Sequence, residues 1–311
     1  MKPAVERTWV AWLDSGTWRR FSRSLAGRRL LGSAAFRRAD DTRRYAETAL
    51  RHALRPSAFT SVRTFCMFLG TVKSGGSLIG SLLDAHPSVV LSDEADPLRF
   101  VIAGFGREQI FHILAKAARR EALKGRVTAR RLEPYALAVP GGSQGHAAAP
   151  IVIGDSRAGP TTRRLGDHPD LIWRLRTRLD DVEDRYIHVV RNPYDPISAM
   201  VRRGRRTLAD AIDDYAGQCS RMVALREWLP SDRLLTVRYE QFVAAPTGEL
   251  RRVCQFLGVD PHPRYLSACV AIVDPTRRPE RETVTWTPEA VAAVNQLIRH
   301  HDFLDRYAYT R

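Results

Sequence analysis

Lys73, Ser74, Gly75, Gly76 and Ser77 follow one another between an apolar run that ends at Gly70 and an apolar helical pattern that begins at Leu78. A lysine, two hydroxyls and two adjacent glycines can together grip an anion. Glycines let the backbone approach an oxyanion because no Cβ intervenes. Where a helix begins, its unpaired N–H groups and its dipole favour negative charge. Lys73 reaches the anion from the front of the loop, and Ser74 and Ser77 offer hydroxyl donors. A loop built for magnesium and a nucleoside triphosphate reads G-x-x-x-x-G-K-[ST]. Gly70 and Gly75 keep that glycine spacing, but Gly76 stands where the lysine belongs, which disfavours the magnesium–ATP version.

A second basic point lies in "YIHVVRNPYDPIS". A buried strand delivers Arg191 at its carboxyl end, and a helix is predicted to start between Pro193 and Asp195. Arg191, with Ser198 on the next turn, can hold a second phosphate bidentately. It can equally pair with Asp195 at the helix start, and the residues leave both open.

These groups need a scaffold that brings loop ends together. "RTFCMFLG", "SVVLS", "PIVIGDS", "RYIHVVRNP" and "LLTVRYEQF" are short apolar runs that read as buried parallel strands. Between them lie "SLIGSLLDAH", a pattern broken around Gly104–Gly106, and "PTGELRRVCQFLGV", a helix stopped at Gly258. Strands alternating with helices predict crossover connections and a mostly parallel sheet with helices on both faces, an α/β architecture. Ligands then sit beyond the carboxyl ends of the strands. Residues 120–150, with "PGGSQGHAAAP", read as a loop or lid. The domain proper is expected over residues 61–311.

Residues 1–60 differ from the rest: they hold 13 Lys and Arg against 5 Asp and Glu, so 8 of the 15 surplus positive charges lie there. Trp9, Trp12 and Leu13, then Trp18, Phe21 and Leu25, recur at helical spacing among arginines. Such a basic amphipathic helix suits an anionic membrane surface, or it packs its aromatics on the main domain. The net charge of +15 attracts polyanions without choosing among nucleic acid, acidic lipid and phosphorylated small molecules. No basic and aromatic stacking motif of the single-strand-binding kind is present, so no specific nucleic acid is expected. The four cysteines, Cys66, Cys219, Cys254 and Cys269, show no metal or redox spacing, and no apolar run is long enough to span a bilayer. A cytoplasmic protein with buried, reduced thiols is expected, peripheral to the membrane if residues 1–60 bind lipid.

Lys73 to Ser77 after a strand, and Arg191-Asn192-Pro193-x-Asp195 after a later one, resemble the two donor-binding signatures of the sulfotransferases that use 3′-phosphoadenosine 5′-phosphosulfate. "VRYEQFVAAPTGELRRVCQFLGV" and "TRRPERETVTWTPEAV" also resemble that family's later segments, and "LLDAHPSVVLSDEADPLRFV" its bacterial branch. The resemblance runs from about Arg63 to the C-terminus and implies a P-loop-type three-layer fold. It implies that the first signature grips the 5′-phosphosulfate and the second the 3′-phosphate, with Lys73 stabilising the leaving phosphate oxygen and no metal required. It implies a base just after the second strand, where Glu94 is the first choice and Asp93 beside it shares or tunes the role. Glu94 is otherwise an acid favoured by a helix N-terminus ahead of Pro97.

In the same terms Asp155 touches the acceptor or orients Lys73, and Arg277 and Arg278 resemble the basic segment that closes over the 3′-phosphate. The family's phosphate-binding hydroxyl falls at Ala199 in this chain, and Ser198 lies one residue earlier, about 100° round a helix. The acceptor implied is a hydroxyl on a small molecule, a sugar or a lipid. The alternatives are a nucleotide kinase and an inactive nucleotide- or nucleic-acid-binding module on the same fold.

Overall fold

The strand "TFCMFLG" is mostly apolar and buried at every position, so both of its faces need cover, and the chain supplies helices for both. The computed structural model describes residues 24, 33–128, 135–204, 206–274 and 279–309. Helix α1 (Ala34–Leu54) precedes strand β1 (Thr64–Gly70), followed by α2 (Gly76–Asp84), β2 (Val89–Ser92), α3 (Pro97–Ile102) and α4 (Arg107–Leu123). A short antiparallel pair, β3 (Val127–Thr128) and β4 (Tyr135–Ala136), leads to β5 (Val152–Asp155), α5 (Ala158–Asp167), α6 (Asp170–Leu179) and β6 (Glu183–Val190). Then come α7 (Tyr194–Gly204), α8 (Leu208–Trp228), β7 (Leu234–Arg238), α9 (Tyr239–Ala244), α10 (Pro246–Leu257), α11 (Pro263–Val270), a 3₁₀ turn over Glu280–Thr283, and α12 (Pro288–His300).

The main sheet has the order β2-β5-β1-β6-β7, and every neighbouring pair is parallel. Side chains alternate across it. Phe65, Met67 and Leu69 of β1 enter one core with Ile153, Tyr186 and Val190. Cys66 and Phe68 enter the other with Val152, Ile187 and Val237. The result is the three-layer α/β fold with a mostly parallel sheet that the strand–helix alternation predicts. Two glycines set strand spacing: a Cβ on Gly154 would lie 1.8 Å from the Cys66 carbonyl oxygen, and one on Gly70 (φ +124°) 2.4 Å from that of Val189.

Met67 stands opposite Asp155, which stands opposite Ser92, so β1, β5 and β2 reach the same edge nearly together. Behind that edge the wholly buried Asp84 pairs with Arg126, accepts from the Leu91 N–H at 2.7 Å, and from the Gly145 N–H at 2.7 Å. One carboxylate thus ties α2 to β2 and to the segment after β4. Burial pushes its pKa up, against the pull of Arg126 and the two N–H donors. The stretch expected as a lid is anchored in the same way: Gln144 accepts from the Val139 N–H at 2.9 Å and donates to the Ser81 carbonyl at 2.9 Å.

Helix α1 lies within the stretch expected as an N-terminal extension, and it packs on the domain. Its Tyr45 ring meets Phe105 edge-on at 5.3 Å, Gln109 donates to the Tyr45 carbonyl at 3.2 Å, and Lys116 pairs with Glu47 at 2.5 Å. Trp9, Trp12, Leu13, Trp18, Phe21 and Leu25 lie outside the described residues. All four cysteines are buried free thiols, and burial pushes Cys219 and Cys269 to about 12. Among the described residues no helix is long and apolar enough to cross a membrane.

Candidate active site

The first residue beyond each of the five main strands lines one cleft: Thr71 after β1, Asp93 after β2, Ser156 after β5, Arg191 after β6 and Tyr239 after β7. Its volume is about 330 Å³. A parallel sheet aims all its carboxyl ends one way, so one register serves five loops.

The glycine loop forms one wall, with Lys73, Ser74, Gly75, Gly76 and Ser77 all on the cleft. Helix α2 starts at Gly76, and the cap residue Gly75 has φ +104°. Its missing side chain is required, because a Cβ there would stand 2.2 Å from the Tyr239 ring. Lys73 is exposed and itself left-handed at φ +66°, a conformation uncommon for a lysine. Ser74 is turned inward and donates to the Thr71 carbonyl at 2.8 Å. Its proton therefore braces the loop, a role different from the anion contact expected of it.

Arg191 stands beside the loop on the same cleft. Its guanidinium stacks on Tyr239 at 4.6 Å and Nη1 reaches the Lys73 carbonyl at 3.4 Å. Its Nε lies 3.5 Å from Asp195, whose two oxygens also accept from the Arg281 backbone N–H at 2.9 Å and its Nη1 at 3.0 Å. The pairing with Asp195 that the sequence leaves open is thus present, loosely, and Arg191 still lines the cleft. Tyr239 is a site residue that the sequence reading misses. The available signal is its place immediately after an apolar strand, the same signal that singles out Arg191.

Asp93 and Glu94 both line the cleft. Glu94 is exposed, with a left-handed backbone at φ +68°. Asp93 is half-buried and accepts from the Ser156 hydroxyl at 3.3 Å. Burial raises its pKa, and the negative charge of Glu94 raises it further. Repulsion from the adjacent carboxylate thus acts on Asp93 together with its burial.

Two expectations need correction. Asp155 lies beneath the cleft and does not line it. It accepts from the Ser92 hydroxyl at 2.7 Å, the Ala95 N–H at 3.0 Å and the Asp96 N–H at 3.3 Å, so it holds the loop that carries Asp93 and Glu94. Burial raises its pKa to about 7, against the effect of these donors. Ser198 is wholly buried and absent from the cleft, where Ala199 stands instead. The 100° between successive helical positions turns Ser198 into the interior. Arg277 and Arg278 lie outside the described residues. His86 accepts from the Ser88 N–H at 3.1 Å and its other ring nitrogen meets the Asp260 carbonyl at 2.8 Å, the helix-end role its position suggests.

Fold and cleft together define an α/β protein whose glycine loop and Arg191 meet at one cleft beyond the carboxyl ends of the sheet. Residues 183–263, from β6 to the first residue of α11, match the model of the sulfotransferase family. That segment is about a quarter of the sequence, and over it the chain is similar to sulfotransferases. No curated protein matches the sequence. Among solved structures, the sulfotransferase domain of an olefin synthase from Synechococcus PCC 7002 is 18% identical, over 80% of this chain and 96% of that one, with a TM-score of 0.49. A sulfotransferase from Mycobacterium avium is 11% identical, over 96% of each chain, with a TM-score of 0.48. Likenesses of that degree bear on neither activity nor substrate.

Proposed function

We propose that this protein transfers a sulfuryl group from 3′-phosphoadenosine 5′-phosphosulfate to a hydroxyl of a small molecule, sugar or lipid. The observation that carries this reading is the meeting, in one cleft, of the Lys73–Ser77 loop, Arg191 and the Asp93–Glu94 pair. The first two are donors for a doubly phosphorylated nucleotide, and the third is a proton acceptor.

The donor fits the cradle: the Tyr239 ring packs where a Gly75 Cβ would stand, and Arg191, stacked on that ring, sets its guanidinium beside the loop on the same cleft. In the reaction the acceptor oxygen attacks sulfur, the bond between sulfur and the phosphate oxygen breaks, and adenosine 3′,5′-bisphosphate leaves. Lys73 and the N–H groups at the start of α2 meet the charge that builds on the departing oxygen. Glu94 takes the proton lost by the acceptor hydroxyl, with Asp93 sharing the negative charge of the pair. Asp155 positions both through the backbone of Ala95 and Asp96.

Thermal unfolding with adenosine 3′,5′-bisphosphate, and separately with magnesium-ATP, tests the donor. A ligand at about 100 times its dissociation constant adds ~2.7 kcal/mol of stability. Stabilisation by the bisphosphate, lost in Arg191→Ala, is expected. Stabilisation by magnesium-ATP alone would make the protein a kinase, and no response to either would leave an inactive module.

A further inference from the structure

Helix α7 presents two residues to the cleft, Ala199 and, one turn later on the same face, Arg203. Ala199 has no donor, so any hydrogen bond from this part of the wall must come from Arg203. The Arg203 side chain is 19% exposed, its Nη2 lies 2.9 Å from Glu280 Oε1, and its buried Nε has no partner. Glu280 is 9% exposed, also lines the cleft, and belongs to the 3₁₀ turn Glu280–Thr283 that packs on α7. Its second oxygen lies 3.2 Å from Arg202. A carboxylate in an anion-binding cleft is an obstacle, because it repels the ligand unless a cation screens it. Arg203 is the cleft-lining cation in contact with it.

Arg191 and Asp195 form a related pair, a guanidinium on the cleft that leans on a buried carboxylate, although Asp195 does not itself line the cleft. Two such guanidinium groups on one cleft offer more donors than a monoanionic ester can use. They suit a phosphate monoester, which carries nearly two negative charges at neutral pH and three acceptor oxygens.

We propose that Arg203 is a second anion-holding residue of this cleft, directed to the phosphate monoester of the nucleotide donor, and that Glu280 occupies its guanidinium until that phosphate arrives. The proposal rests on the donor reading above. Binding exchanges a carboxylate for a phosphate on Arg203 and leaves Glu280 to its second cation, Arg202. Glu280 thereby discriminates against nucleotides that lack the monoester, because they cannot displace it.

Calorimetric titration of the full chain with adenosine 3′,5′-bisphosphate, and with adenosine 5′-monophosphate as the probe lacking the 3′-phosphate, tests this. Arg203→Met keeps the apolar stem and is expected to weaken the bisphosphate at least tenfold while changing the monophosphate less than twofold. Glu280→Gln removes the competing charge without changing shape and is expected to tighten the bisphosphate several-fold. An Arg203→Met protein that binds the bisphosphate as the wild type does, or that loses both nucleotides equally, overturns the assignment. So does a Glu280→Gln protein that binds the bisphosphate no more tightly. A wild type that binds the two nucleotides equally refutes the donor reading itself, and this inference with it, whereas failure in the variants alone leaves that reading standing.

Discussion

Lys73 and Glu94 are both exposed on the cleft, and the two facing roles assigned to them can be separated. Lys73 acts on the leaving oxygen. Lys73→Ala is therefore expected to lower turnover by about 100-fold or more, the usual cost of one preorganised donor at developing charge. The fold is untouched, because nothing packs around an exposed side chain. Glu94→Gln removes the proton acceptor and is expected to cost ~10²- to 10⁴-fold in turnover with nucleotide affinity retained. Steady-state rates beside calorimetry distinguish the two roles, and a Glu94→Gln enzyme of normal rate would move the base elsewhere. Asp93 adds a pH signature. Its raised pKa means that it takes up a proton as pH falls through a value above the ordinary carboxylate range. Activity that needs a deprotonated pair must fall at that point. In Asp93→Asn the acid limb of the rate profile moves to lower pH, and an unmoved limb would detach Asp93 from the proton transfer.

The elements fix how exactingly these side chains are held, and the tightest join is between the glycine loop and the residue after β7. Gly75→Ala places a methyl 2.2 Å from the Tyr239 ring at a backbone φ of +104°. Two penalties follow, a clash and a strained conformation, together on the order of 2–4 kcal/mol. Tyr239→Ala removes the clash but not the strain. The double variant is thus expected to recover about 1 kcal/mol or more over the sum of the single losses in urea denaturation; strictly additive losses would show that the ring and the loop do not meet. This join also marks the limit of what the sequence discloses. The five strands are legible because runs such as "TFCMFLG" are apolar on both faces, and Gly258 ends α10 in the left-handed cap (φ +76°) that a helix-stopping glycine implies. Lys73, Arg191 and Glu94 are legible as the polar residues that follow such runs. Side-chain direction is not. Asp155 and Asp93 each close or follow an apolar strand, yet the pleat sends one under the loop and the other into the cleft. Ser198 and Ala199 differ by one helical step that decides which faces the ligand. Arg203 and Glu280 meet across 77 residues of chain, a pairing that only the packing of the 3₁₀ turn on α7 brings about.

At the scale of the whole molecule the charge of +15 is uneven, and residues 1–60 carry more than half of it. Helix α1 docks on α4 through Gln109 and Lys116 and on Phe105 just before it, so the region from Ala34 onward belongs to the domain and its removal would strip cover from the core. We propose that the segment before it, with Trp9, Trp12 and Trp18 among arginines, binds an anionic lipid surface and brings the cleft to acceptors presented there. The test must therefore leave the chain whole. Full-length protein should float with vesicles containing phosphatidylserine at low salt and not with neutral vesicles, because each basic residue near such a surface contributes only about 1 kcal/mol and is screened within a Debye length. Replacing Trp9, Trp12 and Trp18 by Ser keeps every charge and removes the apolar anchor. If the segment inserts, flotation should fall in this variant even at low salt. If attraction is purely electrostatic, wild type and variant will float alike and both will be released by salt. That outcome would reduce the segment to a diffuse basic surface, and the case for a lipid-borne acceptor would lose its only support.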